Sequence, residues 1–442
     1  MAEASLDTFR GIVGPANVLT GIEISPYVVE GRTPDAAVFP GSADEVRAVV
    51  EAAAASDTPI VPWGGGTAAL AGTPAARSGI VLGLRRLARL VEHEPGDLTA
   101  TAEAGITIAE LGRALRARGQ WLSLDPPDRE RATLGGVIAA NASGPRRHLY
   151  GTLRDLLIGV TVVTADGAVV RGGGKVVKNV AGYDLPKLFI GAWGTLGIVV
   201  EATVRLHPLP EEDRLVFVGF DRLKDAGAAA RAVGASDLIP SALDLLDGEA
   251  ARALGIAAAA APVAAALVVG FDGLAEQVAW QCDELARLTA PLGGRGVSRP
   301  LPEAAWDGLA GAAAAAFETP AAVMRLVVMP AQVAELMEQG AQAARGLPTA
   351  WSAHAGVGVV TAALFAADSQ PDTATVAGVL GEWRGMARAG AGHAVLEWAP
   401  LAVKAALPVW DDAGAAGRIM QRIKAQLDPA NLLNPGRFVA GI

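Results

Sequence analysis

The stretch PWGGGTAALAG, residues 62–72, follows the apolar run Thr58-Pro-Ile-Val. Gly64, Gly65 and Gly66 put several amide N–H groups in succession with no side chain between them and a ligand. Glycine also permits the positive φ that turns such amides to one side. Thr67 adds an amide and a hydroxyl, and Pro62, Trp63, Ala68 and Leu70 frame the run. Converging amides suit an anion as extended as a dinucleotide pyrophosphate. Neither familiar phosphate-loop pattern is present, because no lysine follows the glycines and no Gly-x-Gly-x-x-Gly opens a helix. Taken alone, the stretch reads equally as a tight surface turn.

Two further stretches have related chemistry. In TLGGVIAANASG, residues 133–144, Gly135 and Gly136 allow close approach to the backbone. Ala139, Ala140, Ala142 and Gly144 are small enough for a flat or extended ligand to lie against them, and Thr133, Asn141 and Ser143 can hydrogen-bond it. Alone, this stretch reads more simply as a small-residue helix packed on a sheet. Gly194-Thr-Leu-Gly197 then turns into a strand from Ile198 to Leu206, where the backbone of Gly197, Ile198 and Val199 is placed to pair with an adenine edge. Near the end, LDPANLLNPGRF (427–438) carries Asn434 and Arg437 between turn-enforcing prolines. Acid–base groups are scattered by comparison. Arg325, His354, His393, Glu397 and Lys404 share no telling spacing, and His148, beside Arg146 and Arg147, reads most simply as a loop histidine. No catalytic residue is assigned.

The elements that must position these residues alternate between helix and strand, which makes the fold α+β. Ser42-Ala-Asp-Glu45 is a capping box ahead of Val46, Val49, Val50 and Ala53 at helical spacing, and Thr107-Ile-Ala-Glu110 is a second. Strands are expected at Gly79–Gly83, Leu98–Glu103, Leu215–Phe220, Ala265–Phe271 and Met324–Met329, and a helix over Asp411–Gln426. Composition shifts near 213, where alanine-rich segments begin, and again near 406. Three parts follow: 1–212 with a break near 90, 213–405 as an α+β cap, and 406–442. The 442 residues exceed what one core serves. A net charge of −9 without a basic cluster argues against a nucleic-acid binder. The single cysteine, Cys282, excludes a disulfide or an iron–sulfur cluster within this chain and fits a reducing cytoplasm. The N-terminus does not read as a secretory signal. The alanine-rich run Ala253–Phe271 is broken by Gly255 and Pro262, so it reads as a buried helical turn and strand, not a membrane span.

Together the three stretches resemble the flavin domain of the vanillyl-alcohol oxidase type, the PCMH-type FAD-binding domain. The glycine loop is followed by Thr133-Leu-Gly-Gly136 with its downstream Asn141 and Gly144, then by Tyr150-Gly-Thr-Leu-Arg-Asp155 and Thr164-Ala-Asp-Gly167. Gly182-Tyr-Asp-Leu185 and Gly194-Thr-Leu-Gly197 close the pattern. The resemblance implies a two-subdomain FAD-binding domain, a cap, and a C-terminal segment returning to the flavin. It also implies that 62–70 holds the pyrophosphate, that 133–144 flanks it and the adenosine, and that 194–199 meets the adenine. Asn434 and Arg437 would lie near the isoalloxazine, where a cation favours the reduced ring. No histidine or cysteine lies in the glycine loop, so the FAD is expected to be noncovalent.

Within that family, residues 144–159 and 176–197 look most like the FAD-binding E subunit of glycolate oxidase. This implies a role in oxidising a small 2-hydroxy acid such as glycolate. The partners implied are a catalytic flavin subunit and an iron–sulfur subunit, in the cytoplasm and at the inner membrane only through those partners. The alternative is a self-sufficient FAD-dependent dehydrogenase of a 2-hydroxy acid such as D-lactate. Two departures from the family's catalytic members bear on this. Gly191-Ala-Trp-Gly194 stands where many have Gly-Ser-Glu-Gly. HAGVGVVT (354–361) stands where the 2-hydroxy-acid dehydrogenases have His-x-Gly-Asp-Gly-Asn-x-His, with Val357, Val359 and Thr361 at ligand positions. One histidine cannot hold a divalent ion, so no metal is expected there.

Overall fold

Ser42 opens the helix Ala43–Ala55, its hydroxyl accepting the Glu45 amide at 3.1 Å. The Glu45 carboxylate turns to the Gly41 amide instead of completing the box at Ser42, whereas both halves form at Thr107 and Glu110. Val46, Val49, Val50 and Ala53 are fully buried, as their spacing requires. This computed structural model describes residues 3–174, 184–256, 263–295, 301, 304–366 and 371–442. Parts of two stretches read above, Lys175–Tyr183 and Ala257–Pro262, lie outside the described residues.

The chain forms two compact units. The first comprises 1–142, 152–209 and 412–442. It contains a four-stranded sheet of β1 (Val18–Leu19), β2 (Ala36–Val38), β3 (Ile60–Trp63) and β4 (Ile80–Gly83) in the order β1-β2-β4-β3. Here β2, β4 and β3 run parallel, with the helix 43–55 as the crossover. Parallel strands are covered on both faces, and accordingly β2 and β4 are buried at every residue. A second, antiparallel sheet is built from β5 (Leu90–Glu94), β6 (Thr99–Glu103), β8 (Leu157–Val163), β9 (Val169–Gly173) and β10 (Ile198–Arg205) in the order β5-β6-β10-β8-β9. Short strands β7 (Gln120–Trp121) and β11 (His207–Pro208) pair beside it. The break between the sheets falls between 83 and 90.

The second unit comprises 210–411 together with the nine residues Ser143–Gly151. That excursion has an electrostatic cause. Arg146, nearly buried, pairs with Asp213 at 2.6 Å and Asp272 at 3.3 Å and lies 3.6 Å over the Trp306 ring. Tyr150 donates to Asp272 at 2.9 Å. Burial pushes the Asp272 carboxyl up from the ordinary carboxylate range, against the Tyr150 hydrogen bond and the Arg146 charge, which pull it down.

The unit's seven-stranded antiparallel sheet takes β12 (Glu212–Phe220), β13 (Ala242–Asp247), β14 (Ala265–Gly273), β15 (Pro320–Val327), β16 (Thr349–His354), β17 (Val359–Phe365) and β18 (His393–Trp398) in the order β12-β14-β13-β16-β17-β15-β18. Strand alternation sends Leu243, Leu245, Trp351, Ala353, Val360, Ala362, Met324 and Leu326 into one core with the helices 223–234, 275–289, 333–343 and 373–389. Alanines at 226, 229 and 230 let the first of these helices lie close to the sheet. The opposite face has an apolar cluster at each end, one around Trp306 and one around Phe365. Between them lie Asp244, Ser352, His354, Thr361 and Arg325, brought side by side by the register Asp244↔His354, Ser352↔Thr361 and Arg325↔Thr361. Among the described residues no helix is long and apolar enough to cross a membrane.

Candidate functional site

The glycine loop leaves β3 at Trp63, whose carbonyl accepts the Leu84 amide at 2.9 Å. Its glycines serve chain packing first. A Cβ on Gly64 would lie 2.1 Å from Thr133 Oγ1, and one on Gly65 would lie 1.7 Å from the Arg131 carbonyl oxygen. Gly66 has φ +74° and sits against the Trp63 ring. The first sequence stretch is thus pressed on the start of the second. Arg131 seals this contact with a hydrogen bond from Nη2 to the Gly65 carbonyl at 3.1 Å.

Unclaimed amides then distinguish the loop from the neighbouring helix Leu134–Ala140. That helix has its opening N–H groups satisfied: Leu134 donates to the Ile106 carbonyl, Gly135 to the Ala104 carbonyl, and Gly136 to Thr133 Oγ1. In the loop, the main-chain N–H groups of Gly64, Gly65, Gly66, Thr67 and Ala68 donate to no acceptor among the described residues. A folded chain rarely leaves so many donors in a row without a partner unless water or a ligand takes them. The capacity to hold an anion therefore lies in the loop and not at the helix start.

The C-terminal segment returns to this loop. Asn434 donates its amide to Ile60 at 2.9 Å and its side-chain Nδ2 to the Trp193 carbonyl at 2.6 Å, while Trp193 donates to Ala139 at 2.8 Å. Asn434 Oδ1 is buried without a hydrogen-bond partner among the described residues. Arg437, buried, donates from Nη2 to the carbonyls of Ala69 and Ala71 at 2.7 and 2.6 Å. Its guanidinium holds the far turn of the glycine loop, and burial pulls its pKa down from the usual arginine value. Lys424 anchors the same segment, donating to Asp428, Thr195 and Leu433.

Of the other residues singled out in the sequence, Gly135 packs on Ala104, and Gly197 packs on Val162. Asn141 is the left-handed cap of the helix 134–140. Ile198 and Val199 pair with β8, while β6 pairs with β10 only from Glu201 onward. Pro62 ends no pairing, since it sits in register with Leu82. Leu70 is about half exposed and Thr67 is exposed. Ser143 and Gly144 belong to the second unit, where Ser143 Oγ is buried without a hydrogen-bond partner among the described residues.

In the second unit the structure gathers what the sequence left scattered. His354, at the end of β16, lies with Nδ1 2.9 Å from Oδ1 of the fully buried Asp244 on β13. His148, on the short helix Arg147–Tyr150, stacks so closely on Gly356 that a Cβ there would lie 2.2 Å from its ring. Burial pushes the His148 pKa down, Asp244 raises it and His354 lowers it further. Arg325 faces Glu397 at 3.2 Å on the same sheet face. His393 is exposed at the start of β18, and Lys404 is buried on the helix 401–406. Asp244 was not singled out in the sequence, although a carboxylate inside the apolar strand ALDLLD is the visible signal. Among the described residues no group of three or more His, Cys, Asp or Glu is gathered as a metal site.

Comparison with known proteins bears on both units. Residues 34–173 match the FAD binding domain family, and residues 209–438 match the family of FAD linked oxidases, C-terminal domain. The chain is 37% identical over 214 residues to glycolate oxidase subunit GlcD of Bacillus subtilis, covering 48% of this chain and 46% of that protein. It is 38% identical over 162 residues to glycolate oxidase subunit GlcE of Escherichia coli, covering 36% and 46%. To D-lactate dehydrogenase of Archaeoglobus fulgidus it is 35% identical over 214 residues, covering 48% and 47%. The matches span just under half the length of these curated relatives. Among solved structures, p-cresol methylhydroxylase with substrate bound superposes with a TM-score of 0.78 at 19% identity over 100% of this chain and 96% of that one. An alkyldihydroxyacetonephosphate synthase gives 0.76 at 18% identity, over 99% and 86%. These two likenesses show the PCMH-type fold, as the sequence patterns implied, and the chain belongs to the FAD-linked oxidase family, with an FAD-binding domain ahead of the family's C-terminal domain.

Proposed function

We propose that this chain holds FAD noncovalently and takes part in oxidising a small 2-hydroxy acid, glycolate being the first candidate, as the FAD-binding subunit of a cytoplasmic glycolate-oxidase-type complex. The observation that carries the reading is the row of unclaimed amides at 64–68, the donor set that a pyrophosphate requires. Asn434 Oδ1, a buried acceptor beside the same loop, suits the N–H and hydroxyl donors of a flavin nucleotide. The donor set fits FAD. The loop amides hold its phosphates, Thr133 and Gly136 flank them, and Asn434 and Arg437 set the loop and tail in place. Arg437 acts here through the carbonyls of Ala69 and Ala71, as a positioning residue. When bound, FAD supplies the two-electron oxidant that no side chain provides. The matches to glycolate oxidase subunits and D-lactate dehydrogenases support the substrate class, and the matches to two kinds of glycolate oxidase subunit support a multi-subunit complex; a catalytic flavin subunit and an iron–sulfur subunit are the partners proposed for it.

The test is the visible spectrum of the purified chain, followed by denaturation and identification of the released flavin. A yellow protein that releases FAD into the supernatant is the expected result. A colourless protein that takes up no added FAD sinks the reading, and flavin that stays with the denatured chain sinks its noncovalent part. Co-expression with candidate subunits tests the complex by co-purification.

A further inference from the structure

We propose that Arg131 is the cation of the FAD phosphate site, acting on the glycine loop through the Gly65 carbonyl. The inference rests on the flavin reading above. It deepens that reading by assigning the charge that a diphosphate calls for, and it makes FAD binding respond to ionic strength in a stated way.

Charge is what the loop itself lacks. Residues 62–72 include no lysine, arginine or histidine. The amides of Gly64 to Ala68 offer partial positive charge, whereas an FAD diphosphate carries a full negative charge on each phosphate. Among the described residues two guanidiniums donate to the loop's carbonyls. Arg437 takes Ala69 and Ala71 at the far turn, where it is buried and feels the charge of Glu30. Arg131 takes Gly65 at 3.1 Å, within the run of unclaimed amides. The Gly65 carbonyl and the Gly66 N–H belong to one peptide group. A peptide whose oxygen accepts from a cation is polarised, and its N–H becomes a stronger donor. The guanidinium thereby strengthens an amide that a phosphate can use and adds its own field at the loop.

The main chain holds Arg131 in place. A Cβ on Gly65 would lie 1.7 Å from the Arg131 carbonyl oxygen, so the two backbones are in contact. The amides of Arg131 and Ala132 donate to the Asp128 carbonyl at 3.0 and 2.7 Å, which closes the turn. The Asp128 carboxylate meets Arg131 Nη1 at 3.2 Å and offsets part of its charge. With the two side chains 64% and 41% exposed, that pair is weak and sensitive to salt. A phosphate at the loop therefore competes with Asp128 for the same cation. Removing the Arg131 charge weakens FAD binding, and removing the Asp128 charge strengthens it. Asp128 has φ +54°, a conformation that asparagine adopts as readily as aspartate, so Asp128→Asn leaves the turn intact.

The test is titration of the FAD-free full chain with FAD, read by quenching of flavin fluorescence at about 20 mM and about 500 mM salt. The melting temperature of each variant without FAD is recorded alongside and should match the wild type. At low salt, Arg131→Gln should bind FAD about three- to tenfold more weakly, and Arg131→Lys should stay within about twofold of the wild type. Asp128→Asn should bind about two- to fivefold more tightly. At high salt, screening should bring all four proteins to within about twofold of one another. Arg131→Gln binding FAD as the wild type does at low salt overturns the proposal. So does a loss that persists undiminished at high salt, or one that Arg131→Lys shares in full, since either marks lost packing and not lost charge. Weaker binding by Asp128→Asn overturns it as well. In each of these cases the wild type still binds FAD and the flavin reading stands. A wild type that takes up no FAD at either salt ends both.

Discussion

Gly136 is a glycine that the packing of the chain does little to require. It is exposed in the first turn of the helix 134–140, and a Cβ there would meet only Thr133 Oγ1, at 3.1 Å. Glycine in a helix costs about 1 kcal/mol relative to alanine. Gly136→Ala should therefore leave the FAD-free chain as stable as the wild type or up to about 1 kcal/mol more stable, the shift needed at Thr133 Oγ1 taking back a few tenths of that. The flavin nucleotide responds differently if it lies over this turn. Carbon atoms in contact sit about 3.5–4.0 Å apart, and a methyl group projecting into that space pushes the ligand off its amide donors. Losing the equivalent of one charge-assisted hydrogen bond, about 1.5–3 kcal/mol, weakens FAD binding about 10- to 150-fold. The assay is quenching of FAD fluorescence on titration with apoprotein, paired with thermal melting of the same sample. Binding within threefold of wild type at unchanged stability would refute the idea that FAD covers residues 133–136. Gly65→Ala is the contrasting control. Its Cβ would lie 1.7 Å from a main-chain oxygen that no rotamer change can move, so stability and FAD binding should fall together.

Three more predictions follow from the same contacts. Arg437→Lys keeps the charge but replaces the planar fork that reaches both Ala69 and Ala71, and the loss of one such bond predicts FAD binding at least about tenfold weaker in the same titration; unchanged binding would separate the C-terminal segment from the site. Arg146→Met leaves Asp213 and Asp272 without their cation and should cost about 3–5 kcal/mol in denaturant unfolding, part of it recovered by adding Asp272→Asn, whereas a loss under about 1 kcal/mol would mean that the 143–151 excursion is held by something else. Burial pushes the Asp247 carboxyl up to about 7, so the native state keeps a proton that the unfolded chain releases near 4. Stability from this group is therefore full below about pH 4 and falls as pH rises to about 7, by about 2 kcal/mol when half of the full difference is allowed for solvent access. Asp247→Asn, which cannot ionise, should gain on the wild type by that amount between pH 4 and pH 8 in melting or denaturant curves, and a constant difference across that range would refute the assignment.

Local signals made most of the first unit legible. The capping residues at Ser42 and Thr107, the helical spacing of Val46 to Ala53 and the short apolar strands act within about one turn or one strand, where sequence distance and spatial distance agree. The excursion 143–151 was not legible in the same way. Its sequence continues the small-residue helix before it, so the stretch reads as one piece. Its placement depends on Arg146 finding Asp213, 67 residues away, and Asp272, 126 residues away. Nothing in the local pattern marks those aspartates as its partners. The glycine loop was legible for a partly different reason than its structure gives. Three glycines signal close approach of backbone, but here the approaching group at Gly64 and Gly65 is the chain's own 131–133 segment. The ligand signal lies in the amides those glycines leave unclaimed, which no residue letter records.

The cluster at His354 shows where a linear reading must stop. Asp244 and His354 stand opposite each other on β13 and β16, 110 residues apart, and each looks bland in its own strand. Whether two such residues meet depends on strand order, register and the parity of each strand, and a slip of one residue in either strand would send one of the pair to the opposite face. In HAGVGVVT the positions that would complete a metal site are Val357, Val359 and Thr361, so the sequence presents His354 without the rest of that motif. The fold gives it a different setting. Here it is matched by a buried carboxylate at 2.9 Å, so replacing His354 alone by an apolar residue takes that hydrogen bond from Asp244. That coupling is the physical ground for testing the two residues together and not one at a time.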